Sequence, residues 1–190
     1  PDSDYQLLEE KLKSIAPTVL LGFQSDWKFR ATAIAEATNK MDVFNQQKAQ
    51  YDDQVAKIQQ DYGKVLKSGK IVEANRNANA QPGQFSINGS LCAEVFRDEG
   101  IVDFAPAATT SFEQIGELAA YDLILYPIGI NGQPTEGVAP LLEANAWKAL
   151  PAVQSGHAQG GYCPWGRSFG YMAQYLEGLN RALATLPKAE

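Results

Sequence analysis

The run Tyr121–Pro127, YDLILYP, does most to restrict how this chain folds. Its unbroken apolar centre is too short for a helix and has no polar alternation. It therefore reads as a strand buried on both faces, which is characteristic of parallel sheets covered by helices on each side. From Lys70 onward, strand and helix signals alternate around it. Ile71 to Asn75 reads as a strand running into a polar, Asn-rich stretch, Arg76 to Gly89, punctuated by Pro82 and Gly83. Ser90 then caps a helix with Leu91, Val95 and Phe96 inward and Gly100 just past its end. Thr110 and Glu113 have capping-box spacing for a further short helix. A Gly-rich loop at 129–137, a helix to about Asn145, a weak strand near Val153 to Ala158 and a second Gly-rich loop follow. The closing helix carries Phe169, Met172, Leu176, Leu179 and Leu183 on one stripe. This alternation predicts an α/β fold, an open parallel sheet flanked by helices.

The first seventy residues are organised differently. Ser3 and Gln6 have capping-box spacing, and the helix they start ends before Pro17. Thr18 to Leu21 reads as a short strand closed by Gly22, and Ser25 as the cap of a helix ending near Asn39. Asp42 then opens a stretch in which Phe44, Tyr51, Val55, Ile58, Tyr62, Val65 and Leu66 keep helical spacing until Gly69. A helix of about 25 residues is roughly 37 Å long. A domain of this size has a radius of gyration of only about 16 Å, so such a helix is as long as the molecule is wide.

Composition narrows the function. Sixteen Lys plus Arg against 22 Asp plus Glu gives a net charge of -6, which provides no attractive field for a polyphosphate and argues against nucleic acid. The single histidine, His157, argues against direct protein ligation of a metal, and no cofactor is expected. No apolar run reaches the length of a membrane span. In an open α/β sheet, ligands bind beyond the carboxyl ends of the strands. Three loops qualify: Arg76 to Gly89, Ile128 to Gly137, and Gln159 to Phe169. The last holds Tyr162, Cys163, Trp165 and Arg167 among glycines, offering a stacking surface and a positive fork suited to a bulky anionic or oxygen-rich ligand. The alternative is that the aromatics plug the end of the sheet while Arg167 pairs with a carboxylate. Arg76 and Tyr126 are candidates by strand-end position, although Tyr126 also suits the core. Cys92, at a helix start, and Cys163, in a loop at the same edge, can approach each other, so a disulfide is geometrically open. A second reading makes Cys163 the nucleophile of a thiol-dependent enzyme, but no recognisable catalytic signature surrounds it.

Four stretches together resemble the periplasmic substrate-binding proteins of iron-siderophore and vitamin B12 type ABC importers, the class with a rigid helix between lobes. They are KLKSIAPTVLLG (Lys11 to Gly22), the helix containing YDDQVAKIQQ (Tyr51 to Gln60), SFEQIGELAAYDLILYP (Ser111 to Pro127) and NAWKALPAVQSGHA (Asn145 to Ala158). The resemblance implies a remnant of an N-terminal lobe at 1–41, an interlobe helix at 42–68 and a C-terminal ligand-binding lobe at 69–190. It implies capture of a ferric siderophore or similar chelate, with the iron held by the chelator, and delivery to permease subunits. An extracytoplasmic monomer, held at the membrane by an anchor since removed, is expected. Arg76, Tyr126, Tyr162, Trp165 and Arg167 are then ligand-binding candidates, and Glu94 matches a surface glutamate that docks on the permease.

Overall fold

A computed structural model describes residues 3–22, 26–76, 81–163 and 168–186, with side chains from residue 8 onward. The chain divides into two compact units, 1–46 and 47–190. In the first, α1 (Ser3–Lys13) is followed by α2 (Trp27–Ala37) and by the start of α3 (Met41–Leu66). Asp26 caps α2, its carboxylate accepting from the amides of Lys28 and Phe29; Ser25, the expected cap, lies outside the described residues. The strand expected at Thr18 to Leu21 does not form, because the chain there has no ladder partner among the described residues. Trp27 and Ala35 are buried, whereas Leu12, Ile15, Val19, Leu20, Phe29 and Ile34 are exposed.

The second unit carries the sheet. Its strands are β1 (Ile71–Asn75), β2 (Gln84–Ile87), β3 (Ala108–Ser111), β4 (Leu123–Pro127) and β5 (Ala158–Gly161), in spatial order β3-β2-β1-β4-β5. The fold class is the expected α/β one. The parallel core is β1, β4 and β5, with Val72 opposite Ile124 and Leu125 opposite Gln159. Parallel order does not extend across the whole sheet: β2 and β3 join antiparallel, with Asn75 opposite Ser86 and Phe85 opposite Thr110. The reason lies in the polar stretch after β1. Pro82 and Gly83 (φ 79) turn the chain straight back along β1 rather than over the sheet. The weak strand expected at Val153 to Ala158 begins later, at Ala158, because Pro151 at a first helical position starts a short helix, α7 (Pro151–Gln154).

Strand alternation divides the core into two layers. Val72, Ala74, Phe85 and Ile124 face one side. There they pack with Ile115 and Leu118 of the 3-10 helix Phe112–Ala120, with Leu141 of α5 (Ala139–Glu143) and with Trp147 of α6 (Asn145–Lys148). The capping box of that 3-10 helix is Ser111 with Gln114, one residue beyond the expected pair, and the Thr110 hydroxyl donates to the Gln114 side-chain oxygen at 2.6 Å. On the other side, α3, α4 (Leu91–Asp98) and α8 (Phe169–Leu183) are joined by ring contacts. Phe96 meets Tyr175 at 4.9 Å and Tyr51 meets Phe169 at 5.5 Å.

Candidate functional site

The parallel strands β1, β4 and β5 end on one edge of the sheet, and their outgoing loops supply the site. Arg76 is the first residue after β1 and is exposed. A Cβ on Gly137, at the end of the 129–137 loop, would stand 3.4 Å from the Arg76 Cβ, so this loop packs closely beside Arg76. Tyr126, near the end of β4, is half-buried, its ring edge-on to Trp147 at 6.2 Å and 82°. Tyr162 follows β5 directly and is half-buried. The structure therefore brings Arg76, Tyr126 and Tyr162 to the same edge. Trp165 and Arg167 lie outside the described residues.

Packing at this edge explains the glycines of β5. A Cβ on Gly160 would lie 2.5 Å from Ile128 Cγ2 and 3.4 Å from Tyr126, and one on Gly161 would lie 3.4 Å from the Tyr175 ring. The strand is thus pressed between the β4 loop on one face and α8 on the other. The Ile128 amide donates to the Gly161 carbonyl at 3.1 Å, continuing the ladder into the loops. The loop after β4 is closed by the Gly129 amide donating to the Gln133 carbonyl at 2.8 Å, and its tip holds Ile130, 90% exposed. Sequence reading passed over Ile130; an isoleucine inside an otherwise polar Gly-rich loop was the available signal.

Cys92 and Cys163 form a disulfide with a Cα–Cα distance of 6.0 Å. It fastens the loop after β5 to the first turn of α4, whose cap Ser90 accepts from the Ala93 amide at 3.0 Å. Glu94 lies in that same turn, partly exposed. A bridged Cys163 has no thiolate, which removes the nucleophile of the enzyme reading.

Beneath this edge lies a group that the sequence reading missed. Glu73, in the middle of β1, is 1% exposed and faces α4 and α8. Burial pushes its carboxyl up to about 7, although nearby Ser90 and Tyr175 favour the charged form. Glu73 Oε2, Asn75 Oδ1, Ser86 Oγ and the Tyr175 hydroxyl are all buried without a hydrogen-bond partner of standard geometry. Burial and the Glu73 carboxyl hold the Tyr175 phenol well above its ordinary value. On α3, burial and Glu99 do the same to Tyr51, whose hydroxyl donates to Glu99 at 2.8 Å.

The opposite, amino edge of the sheet has a cavity of about 500 Å³ lined by residues that include Lys64, Tyr121, Asp122, Ser155 and His157. His157 is thus set at the edge remote from Tyr162 and Arg76. Among the described residues no group of three His, Cys, Asp or Glu side chains is placed to hold a metal ion, and no helix is long and apolar enough to cross a membrane.

An α/β lobe with Arg76, Tyr126 and Tyr162 at the carboxyl edge of its parallel strands has the layout in which open α/β sheets bind ligands. The chain belongs to the periplasmic binding protein family, whose model matches residues 2–158. No curated protein matches it in sequence. Solved structures of the same fold include the siderophore periplasmic binding protein from the fuscachelin gene cluster of Thermobifida fusca, with TM-score 0.79 and 21% identity over 97% of this chain and 71% of that one. A periplasmic binding protein component of a Fep/Fec-like ferrichrome ABC transporter from Bacillus subtilis gives TM-score 0.66 and 21% identity over 94% and 72%. The Fe3+-Desferal-bound siderophore binding protein FhuD from Vibrio cholerae gives 0.59 and 20% over 96% and 73%. The family and these similar structures are binding proteins rather than enzymes, and the family is extracytoplasmic.

Proposed function

We propose that this chain is the substrate-binding component of an ABC importer, capturing a ferric siderophore or similar metal chelate and delivering it to the permease. The observation that carries this reading is the convergence of Arg76, Tyr126 and Tyr162 on the carboxyl edge of a lobe whose fold is shared with siderophore-binding proteins. A ferric siderophore is bulky, oxygen-rich and often anionic, and it presents its organic shell rather than its metal. Aromatic faces and a guanidinium suit that shell. Trp165 and Arg167 join the set by sequence position. Residues 69–190 then form the ligand-gripping lobe, 42–68 the interlobe helix and 1–41 part of a second lobe, in a membrane-anchored monomer. Glu94, partly exposed in the first turn of α4, is the candidate contact to permease arginines.

Calorimetric titration with ferric hydroxamate, catecholate and carboxylate chelates tests this reading. One class should bind, and Arg76→Ala and Tyr162→Ala should each weaken it by about tenfold, the loss of roughly 1.4 kcal/mol of contact. Arg167→Ala should weaken it more than Lys148→Ala. Variants that bind like the parent protein would remove these residues from the site. Glu94→Ala should leave affinity unchanged and lower uptake in a transport assay, and a loss of affinity would move Glu94 out of the docking role.

A further inference from the structure

Glu73 is a carboxyl buried in a strand with no cation paired to it among the described residues. The groups facing it can be taken element by element. From α8 comes Tyr175, whose phenol is held neutral by burial. From α4 come Cys92, which is bridged, and the apolar Val95 and Phe96; Arg97, at the far end of that helix, pairs with Asp98. β4 places Leu125 beside Glu73 in register, and β2 contributes Ser86. The residue after β2, Asn88, accepts from the Glu73 amide at 2.8 Å through its side chain and donates its own amide to the Glu73 carbonyl at 2.8 Å. α3 brings Tyr51 to this layer, and its hydroxyl is bonded to Glu99. Ser90, the cap of α4, and Tyr175 favour the charged form, but no cation in this set balances a negative charge and burial outweighs them, so the neutral carboxyl is the form that the closed structure accommodates.

The surroundings are also prepared for water. Asn75 follows Glu73 on the same face and is directly opposite Ser86, so three unpartnered oxygens and the Tyr175 hydroxyl are gathered under the carboxyl edge. From there a continuous chain leads outward: Ser90 beside Glu73 caps α4, Cys92 sits in the first turn of that helix, and the disulfide carries the connection to Cys163, next to Tyr162.

We propose that Glu73 is a proton-operated latch: its neutral carboxyl lets the α4 first turn and α8 close over β1, and its ionisation draws water in and loosens, through Cys92–Cys163, the loop that carries Tyr162. The proton leaves the carboxyl O–H for bulk water, and the carboxylate is then hydrated together with Asn75, Ser86 and Tyr175. The consequence for chelate affinity rests on the proposed importer function; the latch itself does not.

Amide hydrogen exchange on the ligand-free chain, corrected for the intrinsic pH dependence of exchange, keeps the two claims separate. Between about pH 5.5 and about pH 8.5, opening of residues 90–93 and 158–163 should rise roughly thirtyfold in the parent protein and stay level in Glu73→Gln. In the double variant Cys92→Ser/Cys163→Ser, residues 158–163 should no longer follow pH while 90–93 still do. Equal pH dependence in parent and Glu73→Gln, or a loop that follows pH without the bridge, would overturn the latch. Carbon-13 titration of the Glu73 carboxyl in the parent protein provides a check that needs no variant: a midpoint near neutrality supports the latch, and an ordinary glutamate midpoint contradicts it. Failure of every ferric chelate to bind, with the exchange pattern intact, would remove the importer reading and leave the latch standing.

Discussion

The two faces of the sheet are both packed with apolar side chains, but only one of them also buries a polar cluster. Toward the 3-10 helix and α5 to α7, Val72, Ala74, Ile124, Leu141 and Trp147 form an apolar layer. Toward α4 and α8, the same strand β1 turns in Glu73 and Asn75, met by Ser86 and Tyr175, and the layer is tied by a disulfide. An apolar layer gains from burial in proportion to area and is indifferent to pH. The polar cluster set within the second layer, whose remainder is apolar (Ile71, Leu123, Phe96, Phe169, Leu176), makes that layer depend on protonation.

Removing the largest side chain of the apolar face should have the largest effect. Trp147→Ala should cost about 4 kcal/mol in urea unfolding, by transfer and cavity terms together, and do so equally at all pH values. A cost under about 1 kcal/mol would show that this layer is not the core. On the other face, replacing both cysteines by serine opens a loop with sequence separation 71 and should also cost about 4 kcal/mol, by loss of the constraint on the unfolded chain. Equal stability under reducing and oxidising conditions would contradict it.

The pH dependence sharpens the contrast. Glu73 is held at about 7 in the folded chain against 4.5 when free, so the unfolded chain gives up this proton first. Its favourable contribution is complete below about 4.5 and is lost as pH rises through about 7, a fall of about 3 kcal/mol. Denaturant titrations across that window should show the fall in the parent protein and not in Glu73→Gln; parallel curves would refute the assignment. The smallest effect on this scale is expected at Gly160. There an alanine Cβ meets Ile128 Cγ2 and should cost about 2 kcal/mol by overpacking, read as a lowered unfolding midpoint.

How far each element was legible follows from its residues. Tyr121–Pro127 and the stripe Phe169 to Leu183 declare a buried strand and an amphipathic helix by pattern alone, and the structure has both. The helix after Ser90 was equally plain, because its cap, inward stripe and terminal Gly100 agree. β2 and β3 were hidden: QFSI and ATTS are short and polar, and the pairing of β2 with β1, on which β3 then adds, depends on a reversal at Pro82-Gly83 that local propensity does not encode. β5 was displaced because AQGG is a poor strand former, and its glycines answer to contacts with Ile128, Tyr126 and Tyr175 that only tertiary structure supplies. Glu73 escaped notice for a related reason. Within IVEAN a single acidic residue reads as the solvated position of a half-buried strand, whereas helices cover both faces here.

The central claim, that the carboxyl edge of this lobe grips a chelated metal through its organic shell, is tested most directly by intrinsic tryptophan fluorescence during titration with ferric siderophores, haem and cobalamin. Saturable quenching by one class of ferric siderophore, reduced in Tyr162→Ala, is the predicted result. Fluorescence that stays unchanged across the whole panel, or quenching identical in Tyr162→Ala, would contradict it.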